Sequence, residues 1–482
     1  MFVTFVRENI TVSVPEGTTV LEAACAAGIR VNSPCGGKGT CGKCKAEVSG
    51  REILMCRETV RDQMKVELPE EETLRILETG TCTGFRPDGT SAYVLSFDIG
   101  TTTLVGSLLS GSTGETIDTV SMLNPQVSFG ADVISRIQAA MDHGTGALSS
   151  AVRGAMAEIS GILCERHGVD PSLVGTVCVC GNTAMHHLFL GIDPKPLSVP
   201  PYMPREKKAV CLPAKEFLPL ENAELRVLPN IAGFVGADTV ACLLSTGFCE
   251  KEELTLLIDI GTNGEMVLGN KKRRIACSTA AGPAFEGAKI SCGMHGAEGA
   301  IDHCHIEDGK PVFSVIGGGK ARGICGSGIL DLTACLLDLS IVDESGYMEE
   351  KEVVLPGTEV TFTGKDIREV QLAKAAIRTG IELLCKKMGC RPDEIRKVLL
   401  AGAFGNFMDP RSACRIGMIP KELLSRIVPV GNAAGEGAKA GALNRSLYEK
   451  CSVIAAETEF LELASFPEFE DCFIDSLEFG DL

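Results

Sequence analysis

One string occurs twice in this chain. Asp98-Ile99-Gly100-Thr101 closes an apolar run over 94–99, and Asp259-Ile260-Gly261-Thr262 closes another over 256–260. Two further segments recur in the same order. The run 177–180 enters Gly181-Asn182-Thr183 much as 398–401 enters Gly402-Ala403-Phe404-Gly405-Asn406. The stretch from Pro229-Asn230 to Ala237-Asp238 is echoed by Pro429, Gly431-Asn432 and the small residues of 433–443. The offsets are unequal, which excludes a solenoid of fixed period and predicts two related lobes with different insertions. A length of 482 residues leaves room for about three folding units. The lobes are placed at 92–245 and 246–450, after a small unit (1–70) and a linker (71–91), and before a C-terminal segment (451–482).

A strand ending in Asp-x-Gly-Thr has a physical use. Glycine permits a tight turn whose N–H groups and Thr or Asn side chains surround phosphate oxygens, while the Asp at the strand end holds a hydrated Mg2+. A single copy is more often an ordinary β-turn. Two copies, one at the start of each lobe, predict a nucleotide phosphate chain clamped from both sides. The candidates are Asp98, Gly100, Thr101, Thr102 and Thr103 on one side and Asp259, Gly261, Thr262, Asn263 and Gly264 on the other. Gly402, Gly405 and Asn406 follow a strand late in the second lobe, where backbone can approach a flat adenosine; plain helix–strand packing explains that turn equally. There is no G-x-x-x-x-G-K-[ST] string and no dinucleotide-type glycine motif after a strand.

The first 70 residues carry the sharpest local signal, Cys35-x5-Cys41-x2-Cys44-x11-Cys56. Three thiolates from one loop and a fourth from a neighbouring segment is how a [2Fe-2S] ferredoxin holds its cluster. Gly36, Gly37, Gly39 and Gly42 let such a loop curl so that N–H groups face the sulfides. Structural zinc fits less well, because only Cys41 and Cys44 form a CxxC pair. A redox dithiol would leave Cys35 and Cys56 idle. Around the loop, 2–6 and 10–14 read as a hairpin, Thr19-Val20-Leu21-Glu22 as a capping box opening a helix to Ala27, and 66–69 as a final strand. The other cysteines, including Cys25, Cys178, Cys180, Cys325 and Cys472, read as small buried hydrophobes. His303-Cys304-His305 with Cys292 imitates a metal cluster without a second pair at ligand spacing.

Composition removes several classes. With 46 Lys+Arg against 63 Asp+Glu and a net charge of −17, a nucleic-acid partner is not expected. The N-terminus lacks a basic stretch before an apolar core, and no run approaches 18 apolar residues, so neither export nor a membrane span is expected. The 22 cysteines are spread along a long chain, which suits reduced thiols and a cytoplasmic protein. The tail from Glu457 has nine Asp or Glu and five Phe, and reads as a terminal strand or clasp against a lobe, with a partner-binding peptide as the alternative.

The paired hairpins, duplicated lobes and late glycine turn resemble the actin, hexokinase and sugar-kinase ATPase superfamily. A cluster domain ahead of such an ATPase narrows the match. Together with Asn124-Pro125-Gln126, 130–136, Gly181-Asn182-Thr183-Ala184-Met185-His186-His187, 281–287 and 430–437, it is similar to the reductive activators of corrinoid proteins. That resemblance implies a multidomain α/β chain: an N-terminal β-grasp [2Fe-2S] ferredoxin-like domain followed by a duplicated two-lobe, actin-like (RNase H-like) ATPase. It implies ATP-dependent return of a methyltransferase corrinoid protein from Co(II) to Co(I), with a low-potential electron donor upstream. Cys35, Cys41, Cys44 and Cys56 would bind the cluster. Asp98 and Asp259 would position Mg2+ and the attacking water, and the Thr and Asn residues would hold the phosphates of ATP. A homodimer is left open. Only about 20 residues separate the cluster unit from the first lobe, where longer members carry extra linker and middle domains. The rival readings are a small-molecule kinase with a regulatory ferredoxin domain, a nucleotide-gated scaffold without turnover, and an activator of a radical dehydratase.

Overall fold

The structure, a computed structural model, describes residues 1–29, 31, 37, 39, 44–69, 80 and 85–480. Cys35 and Cys41 lie outside the described residues. In the N-terminal unit, β1 (Phe2–Phe5) pairs antiparallel with β2 (Ile10–Ser13) and parallel with β5 (Met64–Val66). Helix α1 (Val20–Ala26) is capped as its sequence dictates: Glu22 N–H donates to the Thr19 hydroxyl at 3.2 Å, and Thr19 N–H donates to the Glu22 carboxylate at 2.8 Å. A hairpin of β3 (Lys45–Val48) and β4 (Arg51–Leu54) was not anticipated. Its turn places Ser49 and Gly50 at φ 53° and 77°, the two-residue geometry that suits the twist of hairpin strands. Val3, Phe5, Val20, Leu21, Met55 and Val66 form a core separate from those of the lobes. Cys25, expected inside, is exposed, because Val20, Leu21, Ala23 and Ala24 already take the inner face of α1.

Each lobe is built on one six-stranded sheet. In the first, β6 (Tyr93–Ile99), β7 (Thr103–Ser110) and β8 (Thr116–Leu123) form an antiparallel meander. After α2 (Val133–His143) and α3 (Gly146–His167), β9 (Val174–Gly181) returns parallel to β6. Then α4 (Thr183–Leu190) leads to the edge strand β10 (Val210–Pro213) and to β11 (Glu224–Val227), giving the order β8-β7-β6-β9-β11-β10. After α5 (Ala237–Ser245), the second lobe repeats the pattern with β12 (Thr255–Ile260), β13 (Gly264–Gly269) and β14 (Arg274–Thr279).

An insertion follows, carrying β15 (Ala300–Glu307), β16 (Lys310–Val315), β17 (Gly323–Ile324), α6 (Gly326–Asp338) and the hairpin β18 (Glu352–Val354) with β19 (Thr361–Thr363). Helix α7 (Gly364–Met388) leads back to β20 (Lys397–Ala401), which is followed by α8 (Gly402–Phe407), α9 (Pro410–Arg415) and β21 (Ile427–Gly431). The order is β22-β14-β13-β12-β20-β21, with β22 (Thr458–Phe460) at the edge. Both lobes therefore share a central strand flanked by an antiparallel meander on one side and two parallel strands on the other.

The central strands read as continuous apolar runs because both faces are covered. Leu95, Phe97 and Ile99 face α2 and α3, with Ile137, Val152 and Ile159. Leu256, Ile258 and Ile260 face α7, with Ile377, Ile381 and Leu384. The opposite faces share an interlobe core of Val94, Cys178, Leu257, Val240, Ala241 and Ala438. Here α5 crosses α10 (Ala433–Leu443) at near backbone contact, since a Cβ on Gly437 would lie 2.2 Å from the Ala241 carbonyl oxygen. A Cβ on Gly441 would lie 2.9 Å from Cys178 Sγ, so α10 rests on the sheet of the first lobe.

Both ends of the ATPase are tied down. In the tail, β22 pairs parallel with β14, and α12 (Phe469–Asp475) packs on α7 with Cys472 half-buried. The described residues of the linker contact the two ends of α10. Gly80 bridges to Gly431 and its N–H points to the Glu436 carboxylate at 3.4 Å. At the other end of the helix, Asp88 N–H donates to the Leu443 carbonyl at 3.0 Å and Asn444 Nδ2 donates to the Arg86 carbonyl at 2.9 Å. No helix among the described residues is long and apolar enough to cross a membrane.

Candidate functional site

The strand ends carrying Asp98 and Asp259 open onto one cavity of about 350 Å³, lined by both lobes. The two aspartates hold equivalent positions: Asp98 is in register with Cys180 on β9, and Asp259 with Ala401 on β20. Gly100, Thr101, Thr102 and Thr103 line the cavity from one lobe, and Gly261, Thr262, Asn263 and Gly402 from the other. Gly264, Gly405 and Asn406 do not line it. A Cβ on Gly264 would strike Ile377 Cδ1 at 2.3 Å, and Gly405 packs on Leu400 at 3.3 Å, so both sit where backbone packs closely inside the second lobe.

The first loop is held from behind by residues far away in sequence. Asn124 Nδ2 donates to the Gly100 carbonyl at 2.8 Å, and Asn182 Nδ2 to the Thr101 hydroxyl at 3.0 Å. Arg136, fully buried, donates to the carbonyls of Thr101 at 2.5 Å and Gly130 at 2.9 Å. Burial pulls its guanidinium down to about 10, against the opposing pull of Asp132 and Glu286. The two loops meet through Glu286, whose Oε1 accepts from the Thr262 hydroxyl at 2.6 Å and whose Oε2 accepts from the Thr102 hydroxyl at 3.2 Å.

The wall is strongly acidic. Burial pushes the Asp98 carboxyl up to about 6, against the lowering effect of hydrogen bonds from Asn432 and Cys180. Asp259 is pushed up to about 6 by burial and by the charge of Asp98. Burial and these same neighbours raise Asp238, and Glu265 is raised by burial and by Asp238 and Asp259. No Lys or Arg among the described residues lines the cavity, so an anionic polyphosphate entering it needs a cation. No three potential metal ligands converge among the described residues. Mg2+ takes one or two carboxylates and completes its shell with phosphate oxygens and water, donors that this acidic wall and a polyphosphate would together provide. On the second-lobe side, Phe285 and Phe404 stack with ring centroids 4.6 Å apart and planes at 13°, beside the buried start of α6 at Gly326 and Ser327, which also lines the cavity. His303 Nδ1 bonds the Asp331 carboxylate at 2.8 Å.

At the other candidate site, Cys44 is buried and Cys56 half-buried. Met55 N–H donates to the Cys44 carbonyl at 2.8 Å, which brings the two thiols to neighbouring strand ends. Gly37, at φ 82°, lies against Cys56 with a Cβ position 4.0 Å from that of the cysteine, and Arg57 donates to the Gly39 carbonyl at 2.6 Å. Gly37 and Gly39 thus lie against Cys56 and Arg57 at positive φ, and a Cβ on Gly39 would strike Arg57 Nε at 2.5 Å, the close backbone approach a cluster loop requires.

Sequence reasoning did not select Asn182, Asp238, Glu265, Glu286 or Asn432 as site residues. Four of the five lie in strings already conspicuous: Asn182 in 181–187, Glu265 just past the second loop, Glu286 in 281–287 and Asn432 in 430–437. Asp238 stands at the start of the recurrent helix α5.

Fold and sites together define an ATPase of the actin and hexokinase type (ASKHA) joined to a [2Fe-2S] ferredoxin domain. Residues 3–74 match the 2Fe-2S iron-sulfur cluster binding domain, 93–251 the RACo middle region and 253–481 the C-terminal, ASKHA domain of RACo. The chain is 32% identical to the corrinoid activation enzyme RamQ of Eubacterium limosum, covering 98% of each protein. It is 27% identical to the Co(II) methylated amine-specific corrinoid protein reductase of Methanosarcina barkeri, covering 80% of this chain and 77% of that one. The solved reductive activator for corrinoid,iron-sulfur protein superposes with a TM-score of 0.73 at 28% identity, covering 100% of this chain and 98% of that one. The chain belongs to the RACo family of corrinoid activators. The family's middle region falls on 93–251, the first lobe itself, which corrects the expectation that a middle domain is lacking here.

Proposed function

We propose that this protein uses ATP to return a Co(II) corrinoid protein of a methyltransferase system to Co(I), taking electrons from a low-potential donor. The observation that carries this reading is the joining of two sites by one element. The linker that follows the cluster unit contacts both ends of α10, and the N-cap of that helix, Asn432, hydrogen-bonds Asp98 in the nucleotide cavity. When bound, the cluster supplies a one-electron relay and Mg–ATP supplies free energy. Clusters of this kind work near about −400 mV, and a cobalt couple lying ~200 mV lower would demand about 4.6 kcal/mol from another source.

The chain's own residues do the rest. Thr101, Thr102, Thr103, Thr262 and Asn263 hold the phosphates, Asp98 and Asp259 orient Mg2+, and closure of the lobes about the α5–α10 crossing excludes water. Cys44 and Cys56, with Cys35 and Cys41, bind the cluster. A protein carrying so reduced a centre belongs in the cytoplasm, where 22 cysteines also stay reduced.

The test is anaerobic: protein, MgATP, a chemical reductant and a Co(II) corrinoid protein, with the Co(II) visible band and phosphate release followed together. Co(I) should form only with ATP, and phosphate release should rise only with the corrinoid protein. Phosphate release driven by a small metabolite, with cobalt unchanged across a panel of corrinoid proteins, would replace this reading with a kinase.

A further inference from the structure

Glu286 sits where the two copies of the duplicated loop touch, and its geometry is fixed on both sides. It ends the short turn Pro283–Glu286, and Gly287 follows at φ 77°, where a Cβ would lie 2.4 Å from the Met294 carbonyl oxygen. The preceding Phe285 is stacked on Phe404. From this position each carboxylate oxygen takes one hydroxyl, from Thr262 at 2.6 Å and from Thr102 at 3.2 Å. A threonine hydroxyl has one proton and donates it to one acceptor at a time. The phosphate oxygens clasped by these loops compete for the same two protons.

We infer that Glu286 is the general base for ATP hydrolysis, tied by the hydroxyls of Thr102 and Thr262 and released when a phosphate takes those hydroxyls. The inference rests on the ATP-hydrolysing reading above and moves the water-activating role from Asp98 and Asp259 to Glu286. In the step, the oxygen of a water bonds to the γ-phosphorus, and the bond from that phosphorus to the β–γ bridging oxygen breaks. The electron pair leaves with ADP, and the proton of the water passes to Glu286 and then to solvent, giving ADP and inorganic phosphate. The same two hydroxyls thus couple phosphate binding to release of the carboxylate.

The variant Glu286→Gln separates this role from a merely structural tie. Its amide oxygen still accepts from one threonine and its NH2 donates to the other, so the loops stay joined while the basic oxygen is lost. The expected result is ATP affinity within about tenfold of the native chain with single-turnover hydrolysis slowed roughly 10²- to 10⁴-fold. In Glu286→Ala, added formate should restore part of the rate, because a small carboxylate can enter the vacated space. A Gln variant hydrolysing at the native rate, or an Ala variant indifferent to formate while still binding ATP, overturns the inference. A native chain that neither binds nor hydrolyses ATP marks failure of the nucleotide reading itself, and shows before any variant is made.

Discussion

Gly402 and Asp259 approach so closely that a Cβ on the glycine would lie 2.5 Å from Oδ1 of the aspartate. The glycine also stands at φ 79°, a conformation other residues adopt with strain. The start of α8 therefore rests directly on the carboxylate of the second phosphate loop. Gly402→Ala should cost about 1–3 kcal/mol of stability and weaken ATP binding by roughly tenfold or more, read by denaturation and by titration with a fluorescent nucleotide. Unchanged affinity would show that the contact does not position Asp259.

The raised carboxyls of Asp98 and Asp259 set the pH dependence of the nucleotide-free protein. Each is near about 6 in the folded chain against about 3.9 unfolded. As pH rises from about 4 to about 6 the unfolded chain loses these protons first, so stability falls across that window and stays lower above it. Asp98→Asn and Asp259→Asn should each raise the melting temperature at neutral pH and flatten the pH profile, while abolishing Mg–ATP turnover. A melting temperature lower than the native chain's at pH 7.5 would show that these carboxylates are not under strain.

Arg136 is the anchor of the first loop. Arg136→Met keeps much of the volume but leaves the carbonyls of Thr101 and Gly130 without their buried donor, at about 1–3 kcal/mol for such a loss. Differential scanning calorimetry should show a lowered transition for the lobes. Nucleotide binding should weaken, and the visible spectrum of the cluster should be unaffected.

The N-terminal unit has its own core, so the cluster can be removed without disturbing the ATPase. Cys56→Ser and Cys44→Ser should each remove or shift the visible absorption of the [2Fe-2S] centre and abolish cobalt reduction, with ATP binding within about twofold of native, a difference near 0.4 kcal/mol. Loss of ATP binding in both variants would mean that the two units share more structure than their cores indicate.

Sequence made the repeated elements legible because each phosphate loop is local: Asp, Gly and Thr stand side by side at the end of one strand. The first two strands and the capped helix of the N-terminal unit were legible for the same reason, through the Thr19 cap and the alternation of apolar runs, whereas the β3–β4 hairpin was not. What sequence could not give was the convergence of distant residues. Asn182, Glu286 and Asn432 reach the first phosphate loop from 81, 184 and 334 residues away, through the packing of the two lobes. The turn at Gly402 carried two meanings in sequence, and the structure divides them: Gly402 faces the cavity, whereas Gly405 packs on its own strand. Cys25 was misplaced because residue type outweighed helical phase.

The fastening of Gly80 beside Gly431 puts the cluster on a short leash. Ten residues lie between Pro69 and Gly80, and at about 3.6 Å per residue a fully stretched chain gives a radius of roughly 40 Å about that pin. That radius bounds the position of Pro69, where the cluster unit ends, so the unit as a whole sweeps a limited region around the start of α10 rather than roaming freely about the ATPase.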